Sequence, residues 1–158
     1  TNIAFFRKEM SYDKRWQKNL DACERSKEEY PTLFEPFLIH YDKISTSPLK
    51  AAIIIDNLTG SCAEELILIL KRVSDRVVIF GKDLTIGCLD YANSAPFKLS
   101  KSNYHFKIPL THTLGLPETG IDATGIVPDV MIDCEYPTSL TDNVDAWVLW
   151  VASWLKEH

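Results

Sequence analysis

Two short, unbroken apolar runs, Ala51-Ala52-Ile53-Ile54-Ile55 and Val77-Val78-Ile79-Phe80, constrain this chain more than any other feature. A strand with one wet face alternates apolar and polar residues. A run that is apolar at every position belongs to a strand covered on both faces, as in a parallel sheet. Between the runs, Asp56-Asn57-Leu58-Thr59-Gly60 reads as a turn, and Ala63, Leu66, Ile67, Leu70 and Val73 recur at helical spacing. Strand, helix and strand in that order predict a β-α-β unit with a parallel pair and a right-handed crossover. The expected class is α/β, and 158 residues suffice for one self-sufficient core.

The flanking segments add to this unit. Phe97 and Leu99, then Tyr104, Phe106 and Ile108, alternate with polar residues around Ser100-Lys101-Ser102-Asn103, which predicts an antiparallel hairpin with one buried face. A loop rich in Gly and Pro follows from Leu114 to Pro128, then a short strand from Val130 to Ile132. The closing helix carries Val144, Trp147, Val148, Val151, Trp154 and Leu155 as an apolar stripe. Residues 1–50 differ in texture. Tyr12, Trp16, Leu20 and Cys23 predict one amphipathic helix capped by Ser11, and Phe34, Phe37, Leu38 and Ile39 among three prolines predict a packed connector.

Charge and composition exclude several classes. The formal net charge is −5 with no Lys/Arg cluster, which argues against a nucleic-acid partner, because that affinity comes mostly from neutralised phosphates. The longest nearly apolar stretch, Ala146 to Leu155, is shorter than the about 20 residues a bilayer crossing needs, so no membrane insertion is expected. Cys23, Cys62, Cys88 and Cys134 lack metal-ligand spacing and read as buried thiols; no metal or other cofactor is implied.

The chemistry-bearing segment is Thr59-Gly60-Ser61-Cys62-Ala63-Glu64, between a buried strand and a helix start. A Ser61 hydroxyl there projects at the carboxyl end of a parallel strand, where the free amides of the helix start, notably that of Cys62, with that of Gly60 just before the serine, are candidates to receive a developing oxyanion. The same Ser-x-x-Glu spacing is also a capping box, in which Ser61 and Glu64 merely satisfy backbone donors, and such boxes far outnumber nucleophiles. It is not the Gly-x-Ser-x-Gly elbow, since Ala63 stands at the second glycine.

Taken together, TGSCAEEL after a strand, VVIFGKDLTIGCLDY, a hairpin and LPETGIDATGIVPDVMID resemble the C-terminal processing, or tail-specific, serine peptidases. In that family a Ser-x-x-Glu helix start precedes Gly-x-x-Thr-x-Gly and, after a hairpin, Gly-Ile-x-Pro-Asp, matched here by Gly125-Ile126-x-Pro128-Asp129. The resemblance covers about two thirds of the chain. It implies a crotonase-like β-α-β core, as in the Clp proteases, with an added antiparallel hairpin, and it places the nucleophile on Ser61 with Cys62 as an oxyanion donor. It also implies a peptide or unfolded-protein substrate and a site outside the cytoplasm, periplasmic or secreted. Residues 1–50 are then a helical and connector segment, and 51–158 the C-terminal part of the peptidase domain, the family's glycine-rich Asp-x-Arg-x-Asn-x-Gly-Gly turn lying upstream.

Departures from the pattern concern the base. Family members with a Ser-Lys dyad place the lysine directly after Gly-x-x-Thr-x-Gly, but here one extra residue lies between Gly81 and Thr85, and Gly87 is followed by Cys88. Lys82 lies nearby and reads as a solvated strand-end charge. The branch resembling the tricorn core and the retinoid-binding module of the photoreceptor matrix uses a histidine with a glutamate after the hairpin. Glu118 is the residue in place for that glutamate, and His112 is a better candidate base than His40, His105 or His158. The base itself is expected outside these residues. Two rival readings stand beside the peptidase: a non-catalytic peptide- or ligand-binding module on the same fold, with Ser61 a cap only, and an interaction platform in which a second copy covers the sheet edge and the Trp147/Trp150/Trp154 helix.

Overall fold

The computed structural model describes residues 2–35, 40, 42, 43, 45–140 and 144–158. Among them the elements run α1 (Asn2–Glu9), α2 (Lys14–Arg25), β1 (Ala51–Ile55), α3 (Cys62–Val73), β2 (Val77–Gly81), β3 (Tyr91–Ala92), β4 (Ala95–Lys98), β5 (His105–Ile108), β6 (Thr111–His112), β7 (Val130–Met131) and α4 (Ala146–Glu157). The class is mixed α/β. The chain forms two compact units, Thr1–Ile44 with Ser94–Leu110, and Ser45–Asn93 with Thr111–His158.

The second unit holds the parallel sheet, in the order β1-β2-β7. Ala51 lies opposite Val77 and Ile55 opposite Gly81, and β7 joins β2 with Val130 beside Phe80. Strand alternation sends Ile55 and Ile79 to one face, where they pack with Ile67 of α3, and Phe80 to the other, where it packs with Ile132, Trp147 and Val151. Helices thus cover both faces, which is why neither strand has polar positions. Trp154 meets Phe80 edge-on at 5.1 Å between ring centroids, and the Trp147 Nε1–H donates to the Glu135 carbonyl at 3.0 Å. All three tryptophans of α4 pack against the chain's own sheet, Trp147 buried and Trp150 and Trp154 partly so.

Which helical residues face the sheet differs from the periodicity reading. In α3 the buried residues are Glu64 and Ile67, whereas Leu66 and Val73 are exposed. Residues 64, 67 and 71 share one face, and the Lys71 ammonium at its far end pairs with Asp129 at 2.8 Å. In α4 the buried positions are Trp147 and Val151, and Val148 is 46% exposed. Of the four cysteines, Cys62 and Cys88 are exposed and Cys23 and Cys134 half-buried, so the expectation of four buried thiols is corrected.

In the first unit, α1 was not anticipated, and α2 is capped by Asp13 instead of Ser11. The Asp13 carboxylate accepts the amides of Arg15 at 2.8 Å and Trp16 at 3.3 Å, because a carboxylate one residue before the helix reaches both first-turn donors. Phe6 and Leu20 are buried, and Trp16 contacts Phe6 and Phe34 with ring centroids 5.4 and 4.8 Å away. Of the expected connector cluster, Phe37, Leu38 and Ile39 lie outside the described residues. The hairpin pairs as the alternation predicts, with Phe97 opposite Phe106. Its apolar face is not closed, however: Tyr104 is 77% exposed, and Phe106 and Ile108 are exposed too. Among the described residues no helix is long and apolar enough to cross a membrane.

Candidate active site

The site is built where β1 hands over to α3. After Ile55 the chain turns on Asp56, whose carboxylate accepts the Leu58 amide at 3.0 Å and the Thr59 hydroxyl at 2.8 Å. The Ile86 amide donates to the Thr59 carbonyl at 2.8 Å, which ties the turn to the segment after β2. The space at Gly60 is tight: a Cβ on it would stand 2.9 Å from Cys88 Sγ and 3.3 Å from Ile86 Cδ1, so those side chains would have to shift to admit one.

Ser61 follows with φ 56° and ψ −121°, a backbone region almost reserved for glycine. The conformation decides between the two readings of Ser-x-x-Glu at the level of hydrogen bonds. A capping serine has an extended backbone and turns its hydroxyl onto the second or third helical amide. Here only half of the capping box meets hydrogen-bond geometry: the Ser61 amide donates to Glu64 Oε2 at 2.8 Å. The other half, from the Glu64 amide to the Ser61 side chain, is present as a capping-box contact but falls outside strict hydrogen-bond geometry. The Ser61 side chain is exposed. The Ala63 amide turns back to the Gly60 carbonyl at 3.2 Å, while the amides of Cys62 and Gly60 donate to no group among the described residues. Both amides lie at the start of α3, next to its positive end.

Beneath the turn lies Glu64, fully buried. Its Oε1 accepts the Thr85 hydroxyl at 2.5 Å and the Gly87 amide at 2.7 Å, and its Oε2 accepts the amides of Ser61 at 2.8 Å and Cys88 at 3.1 Å. Burial pushes this carboxyl up, but the Thr85 hydroxyl and the amides of Cys88, Gly87 and Ser61 outweigh it, and the group lies below the ordinary glutamate range. Sequence reading saw Glu64 only as a capping partner. The available signal was its helical register: three residues before Ile67, it shares the sheet-facing side, so its carboxylate had to be buried and bonded. The convergence of Thr85, Gly87 and Cys88 on it had no local signature.

The candidate bases lie elsewhere. Lys82 donates to the Cys134 carbonyl at 3.3 Å and pairs with Glu135 at 3.1 Å. Cys88, in the lysine's expected place, is exposed with its Sγ against Gly60; partial desolvation of the thiol pushes it up and the nearby Glu64 carboxylate adds to this, against the Ser61 amide, which lowers it. His112 and Glu118 are both exposed and do come together, lining a cleft of about 320 Å³ with Asp90 and Tyr91, but Ser61 is not among its lining residues. The His112 ring rests on Tyr91 with centroids 5.0 Å apart. His40 and His105 are exposed, and His158 stacks on Trp154 at 4.1 Å. Among the described residues no three His, Cys, Asp or Glu side chains form a metal-binding group.

The Gly125-Ile126-x-Pro128-Asp129 stretch is placed against this site. The Ile126 amide donates to Thr85 Oγ1 at 2.7 Å, and Asp129 accepts both the Ile79 amide and the Lys71 ammonium at 2.8 Å. No family model matches the chain, and neither a curated protein nor a solved structure matches it.

Proposed function

We propose that this chain carries the nucleophile of a serine-type endopeptidase of the tail-specific type, on a crotonase-like core. The observation that supports it most is the Ser61 backbone at φ 56°, ψ −121°, with an exposed hydroxyl that makes no strict cap hydrogen bond and a Cys62 amide that donates to no group among the described residues. A strained turn of this kind is maintained only where surrounding structure over-determines it, and such turns cluster at sites of chemistry. Ser61 Oγ attacks the carbonyl carbon of a peptide bond, and the oxygen that becomes negative is received by the Cys62 amide with that of Gly60 beside it. The C–N bond then breaks, the amine leaves with the proton from Ser61, and water releases the acyl group. The proton passes through a base supplied from outside these residues, since Lys82 is committed to Cys134 and Glu135 and the His112–Glu118 cleft is separate.

A fluorophosphonate probe tests this on the whole chain. Slow covalent labelling, mapped by mass spectrometry to Ser61 and absent in Ser61→Ala, is expected. Equal labelling of the variant, or none in the wild-type chain, removes Ser61 from the chemistry. One observation favours a non-catalytic peptide-binding module: the residue in the dyad lysine's place is a cysteine, Cys88. That reading expects no labelling and unchanged peptide binding by Ser61→Ala.

A further inference from the structure

We propose that Glu64 is a positioning residue, whose fully occupied carboxylate holds the Ser61 amide against the 85–88 segment and so keeps Ser61 at positive φ with its side chain exposed and the Cys62 amide open. An ionised carboxylate has about four acceptor positions. Glu64 fills four with the Thr85 hydroxyl and the amides of Gly87, Ser61 and Cys88. Two consequences follow from saturation. Glu64 has no acceptor position left for the Ser61 hydroxyl, so it is not the general base, although it is the carboxylate nearest to Ser61 in sequence. And three chain segments, the 60–61 turn, Thr85 and Gly87–Cys88, meet on one group, so the carboxylate supplies the over-determination that a serine at positive φ needs.

Its neighbours leave no other acceptor for that role. Thr85 is buried and spends its own oxygen on the Ile126 amide at 2.7 Å. Were Glu64 absent, the amides of Ser61, Gly87 and Cys88 would be left without a partner beneath the turn, and the energetically simplest repair is for Ser61 to relax to an extended backbone and cap α3 in the ordinary way. The catalytic consequence rests on the Ser61 reading; the positioning itself does not.

The test is a pH titration of the amide resonances of the isotopically labelled whole chain by NMR. In the wild type, the Ser61, Gly87 and Cys88 amide protons are expected downfield and to shift together with a single acid midpoint, the Ile79 amide on Asp129 serving as internal comparison. Independent movement, or none, overturns the proposal without needing a variant. In Glu64→Gln the three resonances move upfield and fluorophosphonate labelling falls about a hundredfold. Thr85→Ser keeps the wild-type shifts and rate, and Thr85→Val moves Gly87 more than Ser61, because the two amides lie on different carboxylate oxygens. A folded Glu64→Gln chain with unchanged Ser61 and Cys88 amides also overturns it. If the wild type does not label while its three amides titrate together, the peptidase reading falls and the positioning role stands.

Discussion

At the scale of single residues, the Ser61 conformation separates two roles by their energetics. A serine acting only as a cap loses about 1 kcal/mol when truncated to alanine. Ser61 makes no strict cap hydrogen bond, so Ser61→Ala should leave the urea midpoint within about 0.3 kcal/mol of wild type at constant slope, and a full cap loss would show that the hydroxyl does bond the helix. Ser61→Gly goes further. A non-glycine residue in this backbone region carries strain of about 1–3 kcal/mol, against about 0.5–1 kcal/mol for glycine's extra freedom in the unfolded chain. The glycine variant is therefore expected to be about 1 kcal/mol more stable while losing all Ser61 labelling, and a less stable variant would mean the turn is unstrained. Ser61 and Glu64 were legible as a pair because their spacing is local. The positive φ was not, because it depends on where Ile86 to Cys88 passes beneath the turn, a contact between segments that no local pattern encodes.

At the scale of elements, apolar spacing named α3, β1, β2, α4 and the β4–β5 pairing correctly but placed the buried face of each helix less well. Ala63, Leu66, Ile67, Leu70 and Val73 fit helical spacing as a set, yet a helix lying on a flat sheet buries a narrow stripe, and here Glu64 and Ile67 hold it. Truncation measures this directly. Ile67→Ala should cost about 2–5 kcal/mol, as for buried Ile elsewhere, while Leu66→Ala, at a position 55% exposed, stays within about 0.5 kcal/mol. The same contrast holds in α4 between Trp147→Ala and Val148→Ala, and equal losses within either pair would put the assigned face in error. The short β3–β6 pair was not legible, since two-residue strands carry no period. Asp13 displaced Ser11 as the α2 cap for a geometric reason, standing one position before the first helical residue.

At the scale of the whole molecule, the buried Glu64 carboxylate and, more weakly because it is exposed and screened, that of Asp129 make stability depend on acid in a defined direction. Burial pushes the Asp129 carboxyl up, but the Lys71 ammonium and the Ile79 amide outweigh it, and Glu64 is held down likewise by its four donors. A carboxyl lowered in the folded state binds fewer protons there than in the unfolded chain, so its contribution is complete above the unfolded value and is lost as pH falls through the folded one. Tyr136, though exposed and so partly screened, acts at the other end: the Asp83 carboxylate accepting its hydroxyl pushes it up to about 12. The unfolded chain then loses that proton first, and the contribution, present below about 10, disappears as pH rises toward the folded value. Urea midpoints against pH should form a plateau through neutrality with a fall on each side. Glu64→Gln lowers the plateau and flattens the acid limb, because the variant has no proton to gain there. Tyr136→Phe flattens the alkaline limb alone. An acid limb of unchanged steepness in folded Glu64→Gln would show that the buried carboxyl is not what links this chain to protons.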